Sequence, residues 1–297
     1  MIQGGMSLYN DVHLPRNFSP TRSTLLMPDG PTFQRTLVTS ALPYANGYIH
    51  LGHIAGAYLP ADIYVRYKRL RGNQVLYVGG SDEHGVPITL SALKEGVPPQ
   101  VIIDRYHQAN AEAFQRLGIS YDIYGRTSWS LHYETTQDFF TRLNEQGYIH
   151  EQEMELWYSE YTDRFLPDRY VKGTCPRCGY EDAHGDECEN CGAQYCAHEL
   201  VQPRANIPGD SSQPVLRKSK HWFLDLPKFQ DRLKVWLDAH PEWRANVRGI
   251  AYGWANDLRA RCITRDTDWG VPIPLDEPGA ADKRIYVWFD APIGYVS

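Results

Sequence analysis

The sequence predicts an α/β fold in which a parallel sheet is interrupted by an insertion with clustered cysteines. Two short apolar runs, residues 36–42 and 75–78, flank one helical stretch, which is the pattern of a βαβ unit. Five of the six cysteines lie between Cys175 and Cys196. The apolar run at 284–289 reads as another buried strand, so we expect the chain to return there to the first sheet.

Composition narrows the class of protein. The 297 residues are 42% hydrophobic and 22% charged, with 30 basic against 36 acidic residues and a net charge of -6. This balance disfavours a globally basic nucleic-acid binder. The sequence contains no run of about 18 apolar residues, so it predicts no membrane-spanning helix. The first thirty residues are mixed polar without an apolar centre, so we expect no secretory signal and a cytoplasmic location.

Turn residues divide the first half of the chain into its elements. The strand at 36–42 stops at the turn of Pro43–Gly47, and a helix follows over 51–70 with a kink or break at Pro60. Gly72 ends that helix.

The strand at 75–78 ends, by prediction, at Gly79 and Gly80. Two further helices are expected at 98–117 and 131–146. Ligands of open parallel sheets bind at the carboxyl ends of the strands, which here are Leu42–His53 and Gly80–Gly85.

The cysteines have the spacing of a metal site. Cys175 and Cys178 form one CxxC pair, Cys188 and Cys191 form another, and nine residues separate them. Four thiolates suit one tetrahedral Zn²⁺, and they leave no open position, so the expected role is structural. Disulfides in an exported protein, or unpaired thiols, are the alternatives.

The segment His50-Leu51-Gly52-His53 lies between the first strand and its helix. Unpaired amides and the helix dipole favour anions there, and Gly52 admits a phosphate or flat ring close to the backbone. His50 and His53 are three residues apart, so both are able to donate to phosphate oxygens. The alternative is that both histidines are solvated or cap the helix.

Four stretches, in this order, resemble the class I aminoacyl-tRNA synthetases, specifically the methionyl-tRNA synthetase family, across about residues 36–297. They are Ala41-Leu-Pro-Tyr-Ala-Asn-Gly-Tyr-Ile-His-Leu-Gly-His53, Gly79-Gly-Ser-Asp-Glu-His-Gly85, Gly173-Thr-Cys-Pro-Arg-Cys…Cys-Glu-Asn-Cys-Gly192 and Val287-Trp-Phe-Asp-Ala-Pro-Ile-Gly-Tyr295.

The resemblance implies a Rossmann-type catalytic domain split by a connective-peptide insertion that holds one structural Zn²⁺. It implies activation of L-methionine with ATP and Mg²⁺ to methionyl-adenylate, then transfer to tRNA(Met). His50 and His53 would be catalytic, and with Gly52 they would bind ATP. The methionine site would comprise Ala41, Leu42, Tyr44, Asp82, Trp288, Ala291, Pro292 and Tyr295. Asp82 would accept hydrogen bonds from the substrate ammonium, and the aromatic rings would surround the thioether.

The resemblance also implies a division of the chain. The expected segments are an N-terminal extension at 1–35, the first half of the catalytic domain at 36–147, the insertion at 148–255 with its knuckle at 175–191, and the return to the catalytic domain at 256–297. The family's second ATP signature, of the Lys-Met-Ser-Lys-Ser type, and its anticodon-binding domain are not in the sequence. We therefore expect a fragment of a longer enzyme. The oligomeric state is left open.

Two other functions are compatible with parts of the pattern. One is a class I ligase for cysteine, isoleucine or valine, which the aromatic pocket candidates and the four-cysteine knuckle disfavour. The other is a non-catalytic zinc-knuckle module that binds RNA by stacking and charge. Its candidate surface is Arg164, Arg169, Lys172, Arg177, Tyr170 and Tyr180.

Overall fold

A three-stranded parallel sheet carries the first part of the chain in the computed structural model, which describes residues 35–195, 197–210 and 212–297. The strands β1 (Arg35–Thr39), β2 (Gln74–Ser81) and β3 (Ile123–Arg126) lie in the order β1-β2-β3, and both pairs are parallel. The predicted βαβ unit is therefore confirmed. The predicted extension at 1–35 lies outside the described residues except for Arg35.

The connection from β1 to β2 is a continuous helix in three parts. It comprises α1 (Leu51–His53), a π-helical turn (Ile54–Tyr58) and α2 (Leu59–Leu70). The irregularity expected at Pro60 is present as the π turn just before it. Pro60 has no N–H and its ring crowds the preceding turn, so a wider turn fits there. Gly72, with φ of 80°, ends the helix as predicted.

The glycine pair in β2 corrects one prediction, because Gly79 and Gly80 lie inside the strand, which runs on to Ser81. A Cβ on Gly79 would touch the Tyr121 ring, and one on Gly80 would lie 2.8 Å from the carbonyl oxygen of Gly125. The glycines therefore allow close packing against β3 and the residues before it, and they do not end the strand.

Three further helices follow β2 in the chain. They are α3 (Val86–Glu95), α4 (Pro99–Arg116) and α5 (Ser130–Glu145). The last two confirm the predicted helices, and each ends before a glycine of positive φ. Helix α4 packs against the sheet through Phe114, which shares a core cluster with Tyr77. Sequence patterning does not reveal α3, because several of its faces are buried and no polar stripe marks a period.

Residues 148–262 contain two antiparallel sheets. The first has the order β10-β9-β4-β5, and the second has the order β7-β6-β8. Their strands are β4 (Ile149–Ser159), β5 (Arg164–Phe165), β6 (Val171–Thr174), β7 (Ala183–His184), β8 (Val201–Ala205), β9 (Val215–Leu224) and β10 (Arg261–Cys262). The helices α6 (Gln230–Asp238) and α7 (Ala245–Asn256) follow β9.

The prediction of a strand at 284–289 that rejoins the parallel sheet is wrong. Only β12 (Lys283–Ile285) is extended, and it pairs antiparallel with β11 (Thr264–Asp266) in a separate sheet. The chain then forms α8 (Val287–Asp290) and a 3-10 turn (Ala291–Tyr295). The carbonyl of Tyr286 accepts the amides of Phe289 and Asp290, so the apolar run continues as a helix.

The apolar cores join the insertion to the first half of the chain. One buried cluster combines Val86 and Leu90 of α3 with Cys175 and Cys188. No helix in the described part of the chain has the length and apolar character needed to cross a membrane.

We predict that Gly80→Ala destabilises the fold, because the new methyl group would meet main-chain atoms of β3 that have no room to move. Overpacking of this kind costs about 1–3 kcal/mol of unfolding free energy. Gly249→Ala is the matched control, since a Cβ there has nothing within 4 Å in an exposed part of α7. It should stabilise the protein by about 0.5–1 kcal/mol. Denaturant unfolding of both variants measures the difference, and equal effects would contradict the explanation.

Candidate functional site

The loops that follow β1 and β2 are joined by main-chain hydrogen bonds. The amide of Ala45 donates to the carbonyl of Asp82 at 2.8 Å, and the amide of Asp82 donates to the carbonyl of Pro43 at 2.9 Å. Tyr44 and Asp82 thus form an isolated parallel bridge beyond the strands. The two segments at the carboxyl ends of the strands meet, as the βαβ pattern predicts.

The histidine segment forms the start of the long helix. His50 caps α1, and its Nδ1 accepts the amide of Gly52 at 3.1 Å. The amide of His50 in turn donates to Nδ1 of His53 at 3.2 Å. The two rings stack with centroids 3.7 Å apart, and both side chains are exposed. The expected placement on one side of the turn is confirmed, and the capping alternative is also correct.

The capping bonds determine which ring nitrogens carry protons. A backbone amide is always a donor, so Nδ1 of each histidine must be unprotonated. Each neutral imidazole then carries its proton on Nε2. The cap therefore leaves the Nε2–H donor of each stacked ring available for an anion. Gly52 is required because a Cβ there would lie 3.0 Å from the His50 ring.

Asp82 is a buried carboxyl without a cationic partner. The residue is 8% exposed, and its carboxylate accepts a long hydrogen bond, of 3.5 Å, from the His84 amide. Among the described residues, no lysine, arginine or histidine side chain forms an ion pair with it. Burial, followed by repulsion from Asp290, holds the pKa of Asp82 well above its usual range, and the His84 amide offsets this only in part. A cation brought to this carboxylate would gain a strong charge-assisted bond.

The segment of α8 and the following 3-10 turn packs against both loops. Tyr44 donates to the carbonyl of His84. A Cβ on Gly85 would clash with the Tyr44 hydroxyl and would lie 3.3 Å from Val287. A Cβ on Gly294 would lie 3.1 Å from Leu42. Burial, together with the nearby phenol of Tyr295, raises the pKa of Tyr58 to about 12. Leu42 and Tyr44 of the first loop thus lie close to the segment 287–295.

The outer members of this predicted set are open to solvent. Trp288 is 74% exposed, so it does not wall off a pocket in this structure. Ala41, Pro292 and Tyr295 are exposed, and Ala291 is half-buried. A shallow cleft lies over the carboxyl-terminal halves of β2 and β3, and Leu42 is the one member of the set that lines it.

Glu83 is a site residue to which sequence reasoning assigns no role. It has no exposed surface, and the Arg126 guanidinium Nε contacts its two oxygens at 2.8 and 2.9 Å. The hydroxyl of Ser81 donates to it at 2.6 Å, and Ser128 donates to its other oxygen. A buried charge must be compensated in this way. The loop that carries Asp82 is therefore anchored by its neighbour in the chain.

Asp290 and His84 form a second buried pair behind the site. His84 Nδ1 bonds Asp290, and His84 Nε2 lies 3.2 Å from the hydroxyl of Tyr133. His132 approaches the same carboxylate at 3.6 Å. Although burial raises the pKa of Asp290, these two histidines hold it below its usual range. Both members belong to the motifs already quoted, but only folding shows that they pair.

The four cysteines are placed to hold a metal ion. Their sulfurs all lie within 4.8 Å of one another. The Sγ atoms of Cys175 and Cys191 are 3.9 Å apart, and those of Cys178 and Cys188 are 3.7 Å apart. A tetrahedron with metal–sulfur bonds of ~2.3 Å has edges of about 3.8 Å, so the thiols fit such a site. Gly179 and Gly192 have φ of 77° and 68°, as the knuckle turns require.

The structure does not favour the RNA-binding surface on the insertion. Tyr170 is 3% exposed, and its hydroxyl donates to Thr89. Three of the four proposed cations have acidic partners: Arg164 with Asp268, Arg169 with Glu189 and Lys172 with Asp182. A stacking platform needs an exposed ring, which Tyr170 does not provide.

Comparison with known proteins gives a consistent family. Residues 36–297 match the family model described as tRNA synthetases class I (M). The methionine–tRNA ligase of Chlorobium phaeovibrioides is 52% identical over 269 residues, which are 90% of this chain and 38% of that protein. The methionine–tRNA ligase of Porphyromonas gingivalis is 53% identical over 267 residues, which are 89% and 39%. The chain spans less than two fifths of the length of these relatives.

A solved structure shares the fold. It is the Mycobacterium tuberculosis methionyl-tRNA synthetase in complex with methionyl-adenylate, with a TM-score of 0.65 and 24% identity. The match covers 89% of this chain and 46% of that chain.

We predict that Asp82→Asn removes a pH dependence of stability. The folded pKa of Asp82 is above its unfolded value, so folding takes up a proton between the two values. Stability is therefore full at acid pH and is lost as the pH rises through the folded pKa, by ~1.4 kcal/mol per unit of pKa shift. Asparagine cannot ionise and does not lose this stability. The melting temperature of the variant minus that of the wild type should therefore increase from pH 5 to pH 8, without substrate. Asp257→Asn, at an exposed carboxyl, is the control. A constant difference across the range would contradict the assignment.

Proposed function

Because this chain belongs to the family of class I tRNA synthetases (M), we propose that it activates L-methionine with ATP to methionyl-adenylate, as part of an enzyme that transfers the methionyl group to tRNA(Met). One observation carries this proposal. The loop ending in His53 and the loop starting at Asp82 are bonded side by side, so an anion site adjoins a buried carboxylate. Adenylation joins the amino acid carboxylate to the α-phosphate of ATP and releases pyrophosphate, so it needs these two sites together.

Asp82 binds the ammonium group of methionine. Its carboxylate is desolvated without a cationic partner among the described residues, and a substrate ammonium supplies the missing positive charge. The bound ammonium lowers the pKa of the carboxyl, so methionine binding favours its ionised form. This contact orients the α-carbon and leaves the substrate carboxylate free to react.

The thioether of methionine lies among the apolar and aromatic residues around Asp82. Leu42 and Tyr44 stand on the first loop, and Tyr295 stands near Tyr58 at the base of the helix. Sulfur makes favourable contacts with ring edges. Trp288 covers the side chain only if α8 moves when substrate binds, since its ring is exposed here. Ala41, Ala291 and Pro292 complete the site.

The histidine pair binds the phosphates of ATP. His50 and His53 present Nε2–H donors to the phosphate oxygens, because the cap engages only their Nδ1 atoms. Gly52 lets the nucleotide approach the backbone. Mg²⁺ accompanies ATP and, when bound, neutralises phosphate charge and holds the leaving pyrophosphate.

The reaction needs positioning and charge stabilisation more than covalent chemistry. An oxygen of the methionine carboxylate attacks the α-phosphorus of ATP, and the bond to the bridging oxygen of pyrophosphate breaks. The histidine donors stabilise the charge that grows on the phosphate oxygens. No side chain forms a covalent bond to substrate. His50 and His53 are the catalytic residues because they stabilise this charge.

The cysteine cluster binds one structural Zn²⁺. The spacing of the sulfurs fits a closed tetrahedral site, and four protein ligands leave no position for substrate. When bound, the ion would join the turn of Cys175 and Cys178 to the turn of Cys188 and Cys191. Its bonds contribute to the folding of the lobe around β6.

The decisive experiment is ATP–pyrophosphate exchange by the full-length protein. We expect exchange that depends on methionine and that cysteine, isoleucine and valine support far less. Exchange driven equally by isoleucine or cysteine would overturn the methionine assignment. Binding of RNA without any exchange would overturn the enzyme assignment in favour of a binding module.

We predict that His53→Asn slows adenylation by about 10²–10³-fold. The asparagine oxygen still accepts the amide of His50, so the cap is kept while the Nε2–H donor is lost. Methionine affinity should change little, because Asp82 is intact. Pre-steady-state adenylate formation and calorimetric methionine binding measure the two effects. His198→Ala, at an exposed histidine of the insertion, is the control, and equal losses of rate and affinity would argue against the phosphate role.

We predict one zinc per chain in the purified protein, measured by elemental analysis. Cys188→Ser should lose the metal and lower the melting temperature, because the ion links the two turns of the knuckle. Cys262→Ser lies outside the cluster and should keep it. Intact folded protein without stoichiometric zinc would refute the assignment.

A further inference from the structure

Helix α4 contacts both loops of the candidate site, although it supplies none of the predicted substrate contacts. Asn110 and His107 lie three residues apart on α4, so they project from the same side of the helix. Asn110 bonds Ile49, the residue before His50, and His107 bonds Ser81, the residue before Asp82. The two contacts are separated along the chain by 61 and 26 residues.

Asn110 holds the residue before His50. Its Oδ1 accepts the amide of Ile49 at 3.1 Å. The side chain has no exposed surface, and its Nδ2 has no hydrogen-bond partner among the described residues. A buried polar group with an unmade bond is costly, and an apolar side chain would pack there at lower cost. The one bond that Asn110 makes is therefore the one that orients the loop. One turn earlier, Tyr106 meets Tyr48 edge to face at 5.2 Å.

His107 holds the second loop through a relay of donors. Ser81 uses its hydroxyl proton on Glu83, so its oxygen must accept from Nδ1–H of His107, at 2.7 Å. The ring stacks on Tyr124 with centroids 5.1 Å apart. Burial, then the charge of Arg126, lowers the pKa of His107 to about 4. The ring is therefore neutral at pH 7 and keeps one tautomer.

We infer that α4 sets the relative position of the two substrate loops. Asn110 is the positioning residue for the phosphate loop (residues 47–54), and His107 is the positioning residue for the ammonium loop (residues 80–86). The inference rests on the proposed function. The attack geometry depends on the separation of the two loops, and misplacement by about 1 Å is enough to cost about 10²-fold in rate. A rigid helix that bonds both loops keeps this separation constant before either substrate binds.

The test is a pair of substitutions on one helix with opposite kinetic signatures. In the full-length protein, Asn110→Leu should raise KM for ATP at least tenfold and leave KM for methionine within twofold. His107→Leu should raise KM for methionine at least tenfold and leave KM for ATP within twofold. His107→Asn keeps a donor near the Nδ1 position and should restore most of the loss.

Two further measurements separate positioning from folding. Gln108→Leu, on the exposed side of α4, should leave both KM values unchanged. Hydrogen–deuterium exchange should quicken over residues 47–54 in Asn110→Leu and over residues 80–86 in His107→Leu, with each effect confined to its own loop. If both variants only lower the fraction of active protein, with both KM values unchanged, the inference is overturned. If the wild type shows no methionine-dependent exchange, the proposed function fails, and the deuterium pattern still decides whether α4 holds the two loops separately.

Discussion

Two main-chain hydrogen bonds, between Asp82 and the segment Pro43–Ala45, are the constraint on which the site depends. They extend the parallel pairing of β1 and β2 past the ends of the strands. The loops after parallel strands would otherwise diverge, because each must lead into its own helix. These bonds keep the carboxylate of Asp82 beside the turn that leads to His50. The chemistry of the site therefore follows from backbone pairing before any side chain is considered.

Charge compensation then makes the arrangement rigid. Glu83 and Asp290 are both buried. Glu83 follows Asp82 in the chain, and Asp290 lies near Asp82 in space. Arg126 compensates Glu83, and His84 compensates Asp290, but Asp82 has no such partner among the described residues. Three carboxylates thus lie close together, and the one without a counter-charge is the one that faces the substrate in our proposal. A buried unpaired carboxylate costs stability, which is a common property of binding sites.

The insertion supports the site from a distance. The lobe that carries the four clustered cysteines packs Tyr170 and Val171 against Val86 and Leu90 of α3, and Tyr170 donates to Thr89. The helix α3 starts directly after His84 and Gly85, so the lobe and the ammonium loop share one rigid element. Loss of the metal would therefore act on the start of α3 as well as on the lobe itself.

Features that depend on near neighbours in the chain could be predicted from the sequence alone. The stops at Gly72, Gly118 and Gly147 were predictable because a positive φ is a local requirement. The pairing of the cysteines and the capping pair His50 and His53 were predictable for the same reason, since each needs only a spacing of three residues. The resemblance to known motifs added the identities of the substrates, which local patterns do not contain.

Only the tertiary structure decided the rest, because the deciding partners are far apart in the chain. The run at 284–289 has strand-like residues, but contacts of Ile285 and Tyr286 with Val271 and Ile263 turn it into β12 followed by a helix. Trp288 reads as a pocket wall, yet folding leaves it exposed. Glu83 becomes the anchor of its loop only when Arg126 reaches it from β3, across 43 residues. Burial and long-range pairing are properties of the packed chain, so no local pattern specifies them.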